Sequence, residues 1–313
     1  MGEYIKEVCS LDAAGDMDQP PCVLPNSLLV GYRAAVEDIV MEAGRYPRAS
    51  ELSAVERLVS KRLREPELNA VLSCLDGGED AAAASLIAEI RNCGYPANAH
   101  GSPGDVPTFI RILLLSQIDS VWWSRTIPFN SEADVLCSAE LVGLGPLKSA
   151  KALAFQYRAQ PAGLPGRARD WAQHKLLPAF RPRVAGLRFT CSRPAVVAVV
   201  NQVALDFAAA AAPRTPRIWV TSMVRSVEHQ YRLRALGYPA VVPSAHCVGY
   251  ACDLEISWFR RFDPDNLLPR LLSERQEAGQ LNVIDEGRTW HLCVNPNACG
   301  ELQTAYDTQL RAR

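Results

Sequence analysis

The sequence predicts an α+β protein, with a helical part over residues 26–180 followed by a strand-containing part over residues 185–313. Three observations carry this reading. Apolar residues recur at three- and four-residue steps through much of residues 27–124, the period of helices that bury one face. Proline and glycine crowd into residues 160–194, a density that marks connections and a boundary between the parts. After that stretch come β-branched and alternating segments, the pattern of strands.

At 313 residues the chain is long enough for one large or two ordinary domains with a sizeable core. Hydrophobic residues make up 48% and charged residues 21%, the balance of a soluble globular protein rather than a disordered or membrane-embedded one. The formal charge is −1, which gives no support to a nucleic-acid or membrane-surface role. Residues 155–235 alone carry a net charge of +10, a stretch that could face an anionic partner but reads first as a solvated arginine-rich surface, since no interleaved aromatics offer stacking platforms. The first nine residues contain acids where a secretory signal needs a basic and then an apolar run, and no 18-residue apolar run occurs, so the expectation is a cytoplasmic protein without a membrane span, export being left open. The ten cysteines form no CxxC pair. Cys9, Cys22, Cys74, Cys93, Cys137 and Cys191 read as small buried hydrophobes.

Element by element, residues 1–25 read as a flexible tail, rich in turn formers and poor in apolar periodicity. Leu28, Leu29, Tyr32, Ala35, Val36, Ile39 and Val40 place one stripe on a helix that ends near Gly44. Further helices are expected over 50–75, over 80–93, and over 105–124, the last apolar enough to be buried and with Pro107 near its start. Residues 195–212 form a long apolar helix closed by Pro213 and Pro216. Ile218–Val224 reads as a buried strand, and Ser226 as the N-cap of a helix running to Leu236 and stopped at Gly237. Two segments then alternate. In 249–256, Ala251, Asp253 and Glu255 share one face with Gly249; in 289–295, Thr289, His291, Cys293 and Asn295 do so.

These faces present Asp253 and His291, and His246 lies seven residues before Asp253. Two imidazoles and a carboxylate are the protein ligand count of a catalytic zinc site. Seven is an odd spacing, so a straight strand would send His246 and Asp253 to opposite faces; a turn at Val248-Gly249 must re-aim one of them. Cys293 is a possible rival ligand, though packing is the first reading of its thiol. His100, His174 and His229 are read as structural.

The run S-x-H-x-x-G-x-A-x-D-L over Ser244–Leu254, preceded by Ser222, Arg225 and Gln230 and followed by Trp290-His291, resembles the zinc D-alanyl-D-alanine carboxypeptidase superfamily. That group includes VanY- and VanX-type peptidases, L-alanyl-D-glutamate endopeptidases and the Hedgehog signalling domain. The resemblance covers about residues 185–298 and is nearest to an uncharacterised bacterial branch. It implies an antiparallel sheet with flanking helices, a Zn²⁺ cofactor held by His246, Asp253 and His291, and a peptide substrate of the cell-wall type containing D-amino acids. By the same resemblance Arg225 would hold a substrate carboxylate or a developing oxyanion, with Gln230 and Ser244 lining the cleft. In this group the general-base glutamate usually stands three residues before the last histidine, where this chain has Arg288. Asp285 and Glu286 lie just upstream, and Glu286 is the expected base. The alternative is a metal-binding interaction module of weak or no catalysis.

Overall fold

A computed structural model of the chain describes residues 24–46, 51–92, 105–161, 182, 184–238 and 240–311. Residues 1–23 of the expected tail, most of the 160–194 connection, Cys9, Cys22 and Cys93, and His100 and His174 lie outside these residues. Helix α1, Asn26–Ala43, buries Leu29, Tyr32, Val36, Ile39 and Val40 along the predicted stripe. The helix expected over 50–75 is two helices, α2 (Leu52–Arg62) and α3 (Pro66–Leu72). Pro66 lacks an N–H to continue α2, yet fits the first turn of α3, where that N–H would have no partner. Helix α4, Gly78–Asn92, follows. Helix α5, Val106–Trp122, starts at an Asp105 cap whose carboxylate accepts from Thr108 N at 2.8 Å. It buries residues on nearly every side, from Val106 and Phe109 round to Ile112, Leu115 and Ile118. A helix apolar all round needs neighbours on both sides. One side of α5 meets α1 and α3, and the other meets the sheet.

Residues ahead of 185 also pack in the C-terminal core. After α6 (Glu132–Cys137) come β1 (Val142–Gly143), α7 (Leu144–Ser149), β2 (Gln156–Tyr157) and β3 (Cys191–Ser192), and Leu144, Leu147, Leu153, Phe155 and Tyr157 already sit in the core of the C-terminal part. Next are α8 (Pro194–Ala210), β4 (Trp219–Ser222), α9 (Val227–Ala235), β5 (Ala251–Glu255), α10 (Leu267–Glu277), β6 (Leu281–Asp285), β7 (Thr289–Val294) and α11 (Cys299–Tyr306). Five strands form a sheet in the order β2-β4-β5-β7-β6. It is antiparallel except at its edge, where β2 runs parallel to β4.

The two sheet faces bury different things, as the alternation predicts. Cys252, Leu254, Leu292 and Val294 pack with α8, α10 and α11 in one core. Ala251, Cys293 and Ile284 pack with α1–α5 in the other. The face expected to be polar and open is therefore covered over part of its length by the helical half. Each fully buried Leu or Ile in such a core is worth about 1.5–3 kcal/mol. The cover is pinned at the C-terminal end of α5, where the Trp123 ring stacks on Tyr250 at 3.5 Å and its Nε1–H donates to Val294 O at 3.1 Å. Among the described cysteines, Cys74 and Cys137 are exposed rather than buried. Among the described residues no helix is long and apolar enough to cross a membrane.

Candidate metal centre

Strand β5 and the turn before it bring the first two candidate ligands together. Ser244 caps a short 3₁₀ helix, Ala245–Val248, its Oγ accepting from His246 N at 3.4 Å. Gly249 then takes φ 78°, a left-handed conformation that costs a side-chain-bearing residue strain. A Cβ there would also come within 3.3 Å of Arg193 and Phe129 side-chain atoms. This is the re-aiming turn that the seven-residue spacing demands. His246 thus looks at the β5 face bearing Asp253, and Asp253 pairs directly with His291 across β5 and β7.

His246 Nε2 and His291 Nδ1 each lie 3.0 Å from Asp253 Oδ1. One donor atom from each of the three buried side chains falls within 4.8 Å of the others, so the group could hold a metal ion. Donors on a tetrahedral ion with bonds of about 2.0–2.1 Å stand about 3.3 Å apart, close to the 3.0 Å from Asp253 Oδ1 to each imidazole nitrogen. The remaining ring nitrogens are held from outside: His246 Nδ1 sits 2.6 Å from Met223 O, and His291 Nε2 sits 2.9 Å from Asp119 Oδ2. A carbonyl or carboxylate behind each imidazole is the usual support of a metal-binding histidine.

The donor chemistry gives an independent test of fit. A neutral imidazole has one N–H and one lone pair, yet both nitrogens of His246 face oxygens that can only accept, Met223 O and the Asp253 carboxylate. Either tautomer leaves one lone pair against another, and a second proton is disfavoured because burial, then the nearby Arg225 charge, pushes His246 down to about 4. A cation among the three side chains removes that conflict. Burial also opposes charge on His291, but the hydrogen bonds its ring donates to Asp119 and Asp253 outweigh it and raise the ring to about 10. For Asp253 burial works against ionisation, while its coupling to His246, the Arg225 charge and the hydrogen bonds of both imidazoles hold it well below the usual carboxylate range.

The three groups open onto a cleft of about 870 Å³ walled by α5, the 184–189 segment, α9 and the sheet. Of the two upstream acids, Glu286 lines this cleft. Burial, then the charge of Asp253, raises Glu286 to about 7, and Thr289 Oγ1 donates to its Oε2 at 2.8 Å. Asp285 instead closes the turn, accepting from Gly287 N at 2.7 Å, and is not part of the cleft wall. Arg288, in the position where the resemblance expects an acid, is exposed on the wall.

Arg225 is half-sequestered by its own protein. Its Nη2 donates to Asp253 Oδ2 at 2.7 Å, Nε to Ser222 Oγ at 2.8 Å, and Nη1 to Gln230 Oε1 at 3.1 Å. Gln230 is buried and gives its Nε2–H to Val241 O at 2.9 Å, so it buttresses Arg225. Ser244 is half-buried, on the cleft wall and capping the His246 turn. His229 also reaches the wall, where burial, then Arg225, pushes it down to about 4. Cys293 is fully buried with its thiol pushed well up by burial and is not part of the convergent group.

Sequence reasoning missed Asp119 and Asn282. The signal was present: Asp119 is an acid inside a segment apolar enough to be a buried helix. Compared with known proteins, the chain matches no family model, no curated protein and no solved structure, so the geometry of the site carries the functional reading.

Proposed function

We propose that the chain is a zinc-dependent hydrolase of short peptides, of the cell-wall type containing D-amino acids, as its resemblance to the zinc D-alanyl-D-alanine carboxypeptidase superfamily suggests. The observation that supports this best is the convergence of His246 Nε2, His291 Nδ1 and Asp253 Oδ1 beside a cleft that also holds Glu286. Zinc bound there would polarise a scissile carbonyl and lower the pKa of its water to about 7. Glu286, itself raised to about 7, can take a proton near neutrality and return it to a leaving amine. Arg225 orients Asp253 and neutralises part of its charge.

Since Arg225 is engaged on three sides, a substrate carboxylate is better met by Arg288 and Arg232, both exposed on the cleft wall. Replacing Arg288 with alanine is expected to raise KM twofold to fivefold for peptides with a free C-terminal carboxylate, about 0.4–1 kcal/mol for a solvent-screened contact. The same peptides amidated at the C-terminus should show no change, and equal effects on both would remove Arg288 from substrate binding.

The decisive experiment loads the full-length chain with zinc and assays D-Ala-D-Ala and muropeptides. One bound equivalent is expected, with turnover that a chelator stops and added zinc restores. Absence of turnover in fully metallated protein rejects the peptidase reading. It would leave the metal-binding interaction module, which the occupied Glu286–Thr289 hydrogen bond and Arg288 favour.

A further inference from the structure

The helical half reaches the metal centre through one unbroken polar chain. Arg33 on α1 donates through Nε and Nη2 to Asn282 Oδ1 at 3.3 and 3.1 Å. Asn282 on β6 donates through Nδ2 to Asp119 Oδ1 at 2.9 Å and lies 3.1 Å from Leu115 O. Asp119 on α5 then meets His291 Nε2 through its other oxygen at 2.9 Å. Burial is nearly complete, with Asp119 3% and Asn282 0% exposed.

Direction along this chain is fixed by chemistry. Arg33 can only donate, so the Asn282 oxygen faces it; Leu115 O and Asp119 accept, so the amide nitrogen faces them. One Asp119 oxygen is occupied by Asn282, and the other is left to receive the His291 Nε2–H. With an ion bound, that tautomer leaves the Nδ1 lone pair for the ion, on the side of Asp253 and His246. A buried acid in a helix otherwise filled with Ile, Leu and Val is costly unless such partners are met.

We propose that Asp119 is a positioning residue for the metal centre, so that the helical half, rather than being a separate module, sets the affinity of the site for its ion. The inference rests on the metal-binding reading of His246, Asp253 and His291. Loss of a carboxylate behind a metal-binding histidine typically lowers affinity 10- to 100-fold. The coupling runs both ways, so ion binding also tightens the seating of α5 on the sheet.

The test measures zinc affinity of the full chain by competition with a chromophoric chelator, together with the visible spectrum of the cobalt-loaded protein. Asp119→Ala is expected to lose 10- to 100-fold in affinity and to change the cobalt spectrum. Asp119→Asn, whose amide oxygen can still accept from Nε2–H, should lose less and keep a spectrum near that of the wild type. A folded Asp119→Ala protein that binds zinc within twofold of the wild type, with an unaltered cobalt spectrum, overturns the proposal. Should the alanine variant not fold, the asparagine variant decides: unchanged affinity overturns the inference, and a several-fold loss sustains it. A wild-type chain that binds no zinc removes the metal-binding reading itself, and with it this inference.

Discussion

Glu286→Gln is expected to lower kcat by about 10²–10⁴-fold, the usual worth of positioned acid–base help, while zinc affinity changes only a few-fold. Glutamine fills the same space and can still meet Thr289 Oγ1, so the fold and the three convergent donors should be undisturbed. Lost is the ability to hold a proton. In the wild type the carboxylate must be unprotonated to act as a base, so activity should climb as pH rises through the Glu286 titration, near 7 before the ion binds. A bound cation favours the carboxylate and moves that limb to lower pH. The glutamine variant should show no such limb. Asp285→Asn is the matched comparison, since Asp285 serves the turn at Gly287 and its loss should leave kcat near the wild-type value. A pH–rate profile of the three proteins checks the assignment, and a large effect at Asp285 with none at Glu286 would reverse it.

Zinc affinity should rise about tenfold for each pH unit between 7 and 9. The sign follows from which ligand carries a proton before the ion arrives. His246, pushed down to about 4, is already neutral, and Asp253 is ionised, but His291 is raised to about 10 and keeps its proton through this range. With Nε2–H held by Asp119, the second proton sits on Nδ1 in competition with the ion, and it must be released when zinc binds. Above pH 10 the dependence should level off. Competition titrations at several pH values give the slope, and calorimetry in buffers of different ionisation heat counts the proton. A flat profile would mean that His291 is neutral beforehand.

The local part of the site was legible because it is written locally. His246, Gly249 and Asp253 fall within one short run, and strand alternation alone aligns Asp253 with His291. An acid in a buried helix marks Asp119 in the sequence, but its pairing with His291 is not legible there, because the two stand 172 positions apart and only the packing of α5 on the sheet brings them together. The role of Arg225 escaped for a similar reason: its residue type suits a substrate carboxylate, but the nearest carboxylate is Asp253 of the same chain. Strand β6 was passed over since Asn282 interrupts its apolar run, and that interruption makes sense only with Arg33 and Asp119 as partners. The helix pattern over 50–75 was read through Pro66, where the proline in fact opens a second helix.

Because Ala251, Ile284 and Cys293 are roofed by α1–α5 while segment 142–157 lies in the opposite core, severing this polypeptide anywhere within 160–194 would strand two oily, sticky remnants. Neither length of sequence owns a finished interior, so each would need the other to cover its apolar surface.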